Sequence, residues 1–408
     1  MPPRYFDFDY SERPPNVDPD FARASERFGG PLDLHDRSSL VEGMSSDDVL
    51  RSQKLSRIVF VRPLNIFSEM LSIFSGDSEL FAGFNRQLRI GFIRRKNPNA
   101  YCWTDGGLTY LGVTSGLVRF IWGFNSHLLS FSEFLQDSLD GANDEQGGQI
   151  ESLSNGIDID SIFRWEEGGS LVVPNYRLPK GNTRTFFALN MTHLAVLYVF
   201  LHELGHACYR HNEFIQRSFG VNALEEMPGQ ESRDSELEYL RNRFELLADG
   251  FAVDCCLNLR LGALASRMDD GSDYFQWSIA VDLLMWIFSQ RSRIVSHRGS
   301  HPHPQTRILN KMLHIEGSDY GLPARRVSYS EKANVPIREI CMTASAVLYQ
   351  FWESNRLPGW DNSFFFEEAQ DAHAKYVSDL QRRNEGIWRR YEQFVDQRLL
   401  QELKSIKC

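Results

Sequence analysis

The spacing of apolar positions changes along the chain, and with it the predicted structure. Residues 57–63 (RIVFVRP) and 89–95 (RIGFIRR) are short β-branched and aromatic runs between charges, which predict strands. Residues 108–118 (LTYLGVTSGLV) alternate in the same way, and the TDGG just before them marks a hairpin turn. A helix is expected through FIWGFNSHLLSFSEFL, followed by an acidic, Gly-, Asn- and Ser-rich loop or insert at 139–160. From about Met191 helical spacing dominates, through SELEYLRNRFELLADGFAVDCCLNLRL, SIAVDLLMWIF, EICMTASAVLYQFW and a charged stretch at 365–404. The expected class is α+β, mostly α, with a small sheet at the front and added helices. The expected division is a loosely held polar extension at 1–55, a core at 56–320 with an insert at about 119–185, and a helical region at 321–408.

Composition narrows the function classes. A chain of 408 residues that is 42% hydrophobic can bury a large core. Its formal net charge of -10 argues against nucleic acid, because phosphate contacts need a basic surface. The six cysteines show no C-x-x-C spacing, so neither a disulfide framework nor a thiolate zinc site is expected, and a reducing, cytoplasmic setting fits. The first twenty residues lack the basic and apolar regions of a signal peptide. The most apolar windows, 194–201 and 278–288, fall short of the ~20 residues that cross a bilayer, so a soluble chain without transmembrane segments is expected.

The chemistry concentrates in FLHELGHACYRH, at 200–211. With 11 histidines in the chain, H-E-x-x-H arises by chance fewer than about 0.04 times. On a helix His202 and His206 lie one turn apart on one face, and Glu203 sits to the side. Unpaired imidazoles and a carboxylate inside an apolar helix would be costly, and a zinc ion supplies their partner. Two neutral imidazoles at i and i+4 offer two nitrogens to a tetrahedral Zn²⁺. Glu203 can take the proton of a water in the fourth position, and Gly205 lets backbone or substrate come close. FELLADGFAVD (244–254) offers a third ligand, Glu245, with Asp249 one turn on to accept a hydrogen bond from a ligand histidine's outer nitrogen. Taken alone, that pair is a solvated acidic face. The upstream H-E-x-x-H favours the ligand reading.

HELGH followed about forty residues later by E-x-x-A-D resembles the glutamate-zincins, in particular the CAAX prenyl protease and HtpX family. NPNAYCWTDGGLTYLGVTSGLV (97–118) is similar to that family's strands ahead of the zinc helix, and SHPHPQTRI (300–308) to its His-Pro…Arg segment. A soluble H-E-x-x-H relative that the chain also resembles is the Lit phage-exclusion peptidase, a host-defence enzyme. The resemblance implies a zincin-like metallopeptidase core and hydrolysis of an intracellular protein, in stress response or phage defence. It implies His301 and Arg307 as groups that stabilise the oxyanion or organise the wall beside it, with His303 as the alternative to His301. Asn99, Ala100 and Tyr101 would begin a strand that pairs with extended substrate backbone.

Three function classes remain: a zinc endopeptidase, which the motifs favour; a zinc-stabilised partner-binding scaffold; and a zinc hydrolase of small molecules. A protein or peptide substrate and a regulatory protein partner fit the first, with the 139–160 insert as a lid over the cleft. His193 and His211, each nine residues from His202, fall on the opposite side of a continuous helix and read as structural or exposed. Cys208 reads as a core thiol, the 278–288 stripe as packing, and the charged C-terminal helices as a solvated or partner-facing surface.

Overall fold

The computed structural model describes residues 15–35, 49–77, 79–131, 134–135, 164–165, 171–172, 179, 182–220, 224–225, 235–258, 271–295, 307, 311, 315, 326–329, 332–354, 378, 382 and 384–395. The described part is α+β and mostly helical. In chain order its elements are α1 (Pro19–Ser25), α2 (Val49–Asp77), α3 (Glu79–Asn85), β1 (Leu88–Ile93), β2 (Ala100–Asp105), β3 (Leu108–Thr114), α4 (Ser115–Leu128), β4 (Arg164–Trp165), β5 (Leu171–Val172), α5 (Asn182–Cys208), α6 (His211–Phe219), β6 (Leu224–Glu225), α7 (Ser235–Asn258), α8 (Gly271–Val295), β7 (Arg326–Tyr329), β8 (Lys332–Pro336), α9 (Ile337–Ser354) and α10 (Glu385–Phe394). The 139–160 insert lies outside the described residues, so its role as a lid stays an expectation.

One small mixed sheet, in the order β1-β3-β2-β6, carries the front of the fold. β1 and β3 run parallel, while β2 is antiparallel to both β3 and β6. The β2–β3 turn is the expected one: Asp105 pairs with Leu108, and Gly106 and Gly107 both take positive φ (57° and 79°). That is the two-residue geometry that keeps the strand twist, and glycine adopts it without steric cost. Period-two alternation sends Ala100, Cys102, Leu111 and Val113 into the main core, and Tyr101, Trp103 and Tyr110 to the opposite face.

That opposite face holds residues 15–35, the part of the N-terminal stretch described ahead of α2. Phe21 of α1 is fully buried against Trp103, their ring centroids 5.9 Å apart, and Pro31 bridges to Ile93. Asp18 caps α1 by accepting from the Asp20 and Phe21 amides, with Pro19 at its first position. Gly91 and Gly112 make room for the layer, because a Cβ on Gly91 would meet the Phe21 ring at 2.6 Å and one on Gly112 the Ile93 side chain at 2.5 Å.

Residues 57–63 are helical, not a strand, and lie inside α2. Seven residues are too short a window to distinguish the two periods. Over the whole element Phe60, Leu64, Phe67, Leu71 and Phe74 are all buried, at the three- and four-residue spacing of one helix face. The apolar run after Thr114 likewise turns helical at Ser115, because the Thr114 side chain accepts from the Leu117 amide and caps α4.

α5 runs through the middle of the molecule, packed against α2, α4, α7, α8 and the sheet. It is therefore apolar on all sides, which accounts for the MTHLAVLYVFL run that carries the histidines. Against the expectation from the shorter apolar windows, two helical stretches, 58–76 and 183–208, are long and apolar enough by length and composition to cross a membrane. In the described fold 61% of the first window and 83% of the second are buried inside the protein.

Candidate metal centre

HELGH lies near the end of α5, and Glu245 and Asp249 lie on α7, which crosses beside it. The close approach rests on Gly205. A Cβ there would stand 3.1 Å from the Ala248 Cα, 3.2 Å from the Phe251 Cβ and 3.3 Å from the Ala248 carbonyl oxygen. Gly205 thus admits helix backbone, and Ala248 is the small residue it meets. Because two helix backbones cannot separate cheaply, Gly205→Ala is expected to destabilise the protein by about 1–3 kcal/mol, read by denaturant unfolding.

The crossing brings three electron-pair donors together. His202 Nε2 and His206 Nε2 are 3.0 Å apart, and the Glu245 carboxylate is 3.2 Å from the first and 3.5 Å from the second. All three residues are buried. A tetrahedral zinc ion with bonds of about 2.0–2.1 Å places its ligands about 3.3 Å apart; the imidazole pair stands near that spacing, and Glu245 approaches His202 through Oε2 and His206 through Oε1. The donor set, two imidazoles and a carboxylate, is also a zinc set. Glu203, equally buried, lies beside the triangle and not in it. Its carboxylate is near the Cys102 thiol of β2, whose pKa is raised by burial first and by the Glu203 charge second.

Behind the triangle Asp249 gathers four donors. Tyr198 Oη donates to Oδ1 at 2.8 Å, His202 Nδ1 faces Oδ1 at 2.9 Å, and Arg307 donates from Nη2 to Oδ1 and from Nε to Oδ2, each at 2.7 Å. Burial alone would raise the Asp249 carboxyl, but Arg307 and His202 together hold it well below the usual carboxylate range. An ionised Asp249 can only accept. His202 therefore carries its proton on Nδ1 and presents the Nε2 lone pair to the triangle.

Arg307 is buried, with its fork on Asp249 and its Nη2 3.8 Å from Glu245. These contacts join it to the two acidic residues of α7; the resemblance implies a group that stabilises the oxyanion or organises the wall beside it. Four residues on, Lys311 pairs with Asp282 of α8 and donates to Ser278 Oγ at 2.9 Å, while the Ser345 hydroxyl of α9 donates to Asp282. Residues 307, 311 and 315 are all helical and all buried, so two ion pairs fix this helical face against α7 and α8. His301 and His303 lie outside the described residues.

The strand expected to receive substrate has part of its edge taken. Tyr101 pairs with Glu225 and Cys102 with Leu224, so β6 occupies the outer edge of β2 at these residues. Asn99 is tied inward, its amide donating to Thr114 Oγ1 at 2.8 Å, and Ala100 and Tyr101 are fully buried. Substrate backbone could add at Tyr101 only by displacing β6.

Four contributors were not expected from the sequence. Tyr198, one turn before His202, was recoverable from i−4 spacing. Lys311 and Asp282 carried one signal, an acid inside an apolar stripe. The fourth, His211, corrects the placement opposite His202. α5 ends at Cys208, Arg210 adopts a left-handed conformation (φ 55°), and α6 starts at His211. The reversal brings His211 Nδ1 to 2.8 Å from His206 Nδ1. Burial, then the neighbouring His206, pushes the His211 pKa well below its ordinary value. His193 is buried and structural, drawn down to about 3 by burial and by Arg62.

Residues 152–324 match the model of the peptidase U49 family. This is a family of Lit-like metallopeptidases. The U49 stretch contains His202, Glu203, His206, Glu245, Asp249 and Arg307, so the match points to a proteolytic enzyme at the place where the donors converge. It supports the Lit side of the resemblance; the likeness to the CAAX prenyl protease and HtpX rests on the quoted motifs alone. Comparison with curated proteins and with solved structures gave no match.

Proposed function

We propose that the protein is a zinc-dependent endopeptidase of the H-E-x-x-H, glutamate-ligand type, acting on a protein substrate in the cytoplasm. The observation that carries this reading is the buried convergence of His202 Nε2, His206 Nε2 and the Glu245 carboxylate within metal-ligand range of one another, with Glu203 adjoining but outside the set.

His202, His206 and Glu245 would hold the ion. When bound, zinc lowers the pKa of a water toward neutrality and polarises the scissile carbonyl. Glu203 acts as the base that removes a proton from the attacking water and returns it to the leaving amine. Asp249 keeps His202 in the tautomer and orientation that serve this site, and Tyr198 and Arg307 hold Asp249. On this reading Arg307 is a positioning residue. Its guanidinium also lowers the cost of setting Glu245 beside Asp249 in a buried place.

Elemental analysis of the purified protein is expected to give about one zinc per chain. Peptide hydrolysis should be lost on chelation and return with added zinc. Glu245→Ala should lower zinc occupancy while circular dichroism shows the helices intact. Full zinc retention in a folded Glu245→Ala protein would remove Glu245 from the ligand set.

A further inference from the structure

We propose that His211 is a positioning residue for His206: its Nδ1 accepts the His206 Nδ1 proton, fixing the tautomer that offers His206 Nε2 to the metal. The inference rests on the zinc reading above.

Two facing Nδ1 atoms at 2.8 Å require that one carry a proton and the other a lone pair. His206 Nε2 is the nitrogen turned toward His202 and Glu245, so its lone pair is the one a metal needs. The proton of neutral His206 is then on Nδ1, and His211 accepts it. His211 in turn carries its proton on the buried Nε2, which has no partner among the described residues, so the metal-side demand on His206 maintains the arrangement. The two ligand histidines are thus backed differently, His202 by a carboxylate and His206 by a neutral imidazole.

The surroundings of His211 are built to hold the ring. It stacks on Phe244 with centroids 4.0 Å apart and planes 5° apart, and on Tyr209 at 5.4 Å and 6°. Phe244 immediately precedes Glu245, so the stack ties His211 to the helix bearing the third donor. Tyr391 of α10 lies 5.7 Å from the His211 ring, and its hydroxyl donates to the Tyr209 carbonyl at 3.1 Å. The reversal at Arg210 is braced by its pairing with Glu213, 2.5 Å from Nη2 to Oε2. Through Tyr391, α10, part of the charged stretch read from sequence as a solvated or partner-facing surface, becomes part of the wall behind the metal ligands.

The test is zinc affinity, measured by competition with a chromophoric chelator, for wild type, His211→Phe and His211→Asn. Phenylalanine keeps the aromatic stack and removes the acceptor, whereas the asparagine Oδ1 can stand in for Nδ1. Loss of an outer partner of a ligand histidine weakens metal binding about 10–100-fold, so His211→Phe should fall in that range and His211→Asn should stay within about threefold of wild type. Equal affinity in His211→Phe and wild type, or equal weakening in both variants, overturns the proposal. A second measurement needs no variant: long-range ¹H–¹⁵N correlation of zinc-loaded protein should show His206 protonated on Nδ1 and His211 on Nε2. The reverse assignment, or His211 as a metal ligand, overturns the proposal as well. Wild-type protein with no affinity for zinc would remove the zinc reading itself and this inference with it.

Discussion

Glu203→Gln is expected to reduce peptide hydrolysis by about 10²–10⁴-fold while leaving zinc content and thermal unfolding unchanged. The asymmetry follows from where Glu203 sits. It is buried next to His202 but outside the donor triangle, so glutamine preserves volume and leaves His202, His206 and Glu245 in place. Only the ability to take a proton is removed. Assay of an unstructured protein substrate, run beside elemental analysis of the same preparation, separates the two effects. A variant that lost zinc along with activity would assign Glu203 a ligand's or structural role. A variant that kept both would remove Glu203 from the proton-transfer step.

Arg307→Met should have the largest effect on stability, about 3–5 kcal/mol, because it removes one partner of a buried ion pair and leaves Asp249 charged in a dry site. Tyr198 and His202 still donate to Asp249, but neither supplies the permanent charge and two-pronged fork of Arg307. The loss should extend to the metal. With Asp249 less firmly held, His202 is less well oriented, and zinc affinity should drop about 10–100-fold. Arg307→Lys should fall between wild type and Arg307→Met, since a lysine restores charge but not the two-pronged geometry. Denaturant unfolding of the metal-free proteins isolates the stability effect, and chelator competition isolates the metal effect. An Arg307→Met protein as stable as wild type would mean that Asp249 is protonated or solvated in the folded state.

The metal-site candidates were legible because helix geometry is local. One turn separates His202 from His206, and one turn separates Glu245 from Asp249, so each pair could be assigned to a face before the helices were placed. The small residues Gly205 and Ala248 gave a hint of the crossing, although the sequence did not say which backbone would approach. His211 could not be placed this way, because its position depends on a left-handed arginine at 210, and neither Gly nor Pro announces the break between Cys208 and His211. The 57–63 run imitates a strand for a different reason. Its β-branched residues and single proline mimic an edge strand, and only the burial of Leu64, Phe67, Leu71 and Phe74 farther along establishes a helix. The packing of Phe21 on the sheet was hidden because the residues around it are polar. A single aromatic among charges carries no period. Its seat is set by the sheet, where Gly91 leaves room for the ring.

The most direct test of a peptidase centred on these residues is terminal-peptide proteomics of cells expressing wild-type protein or Glu203→Gln at equal levels. The account predicts new protein N-termini, concentrated on a small number of substrates, in the wild-type cells and their absence with Glu203→Gln. The same set of termini in both, with the wild-type protein folded and carrying zinc, would contradict it.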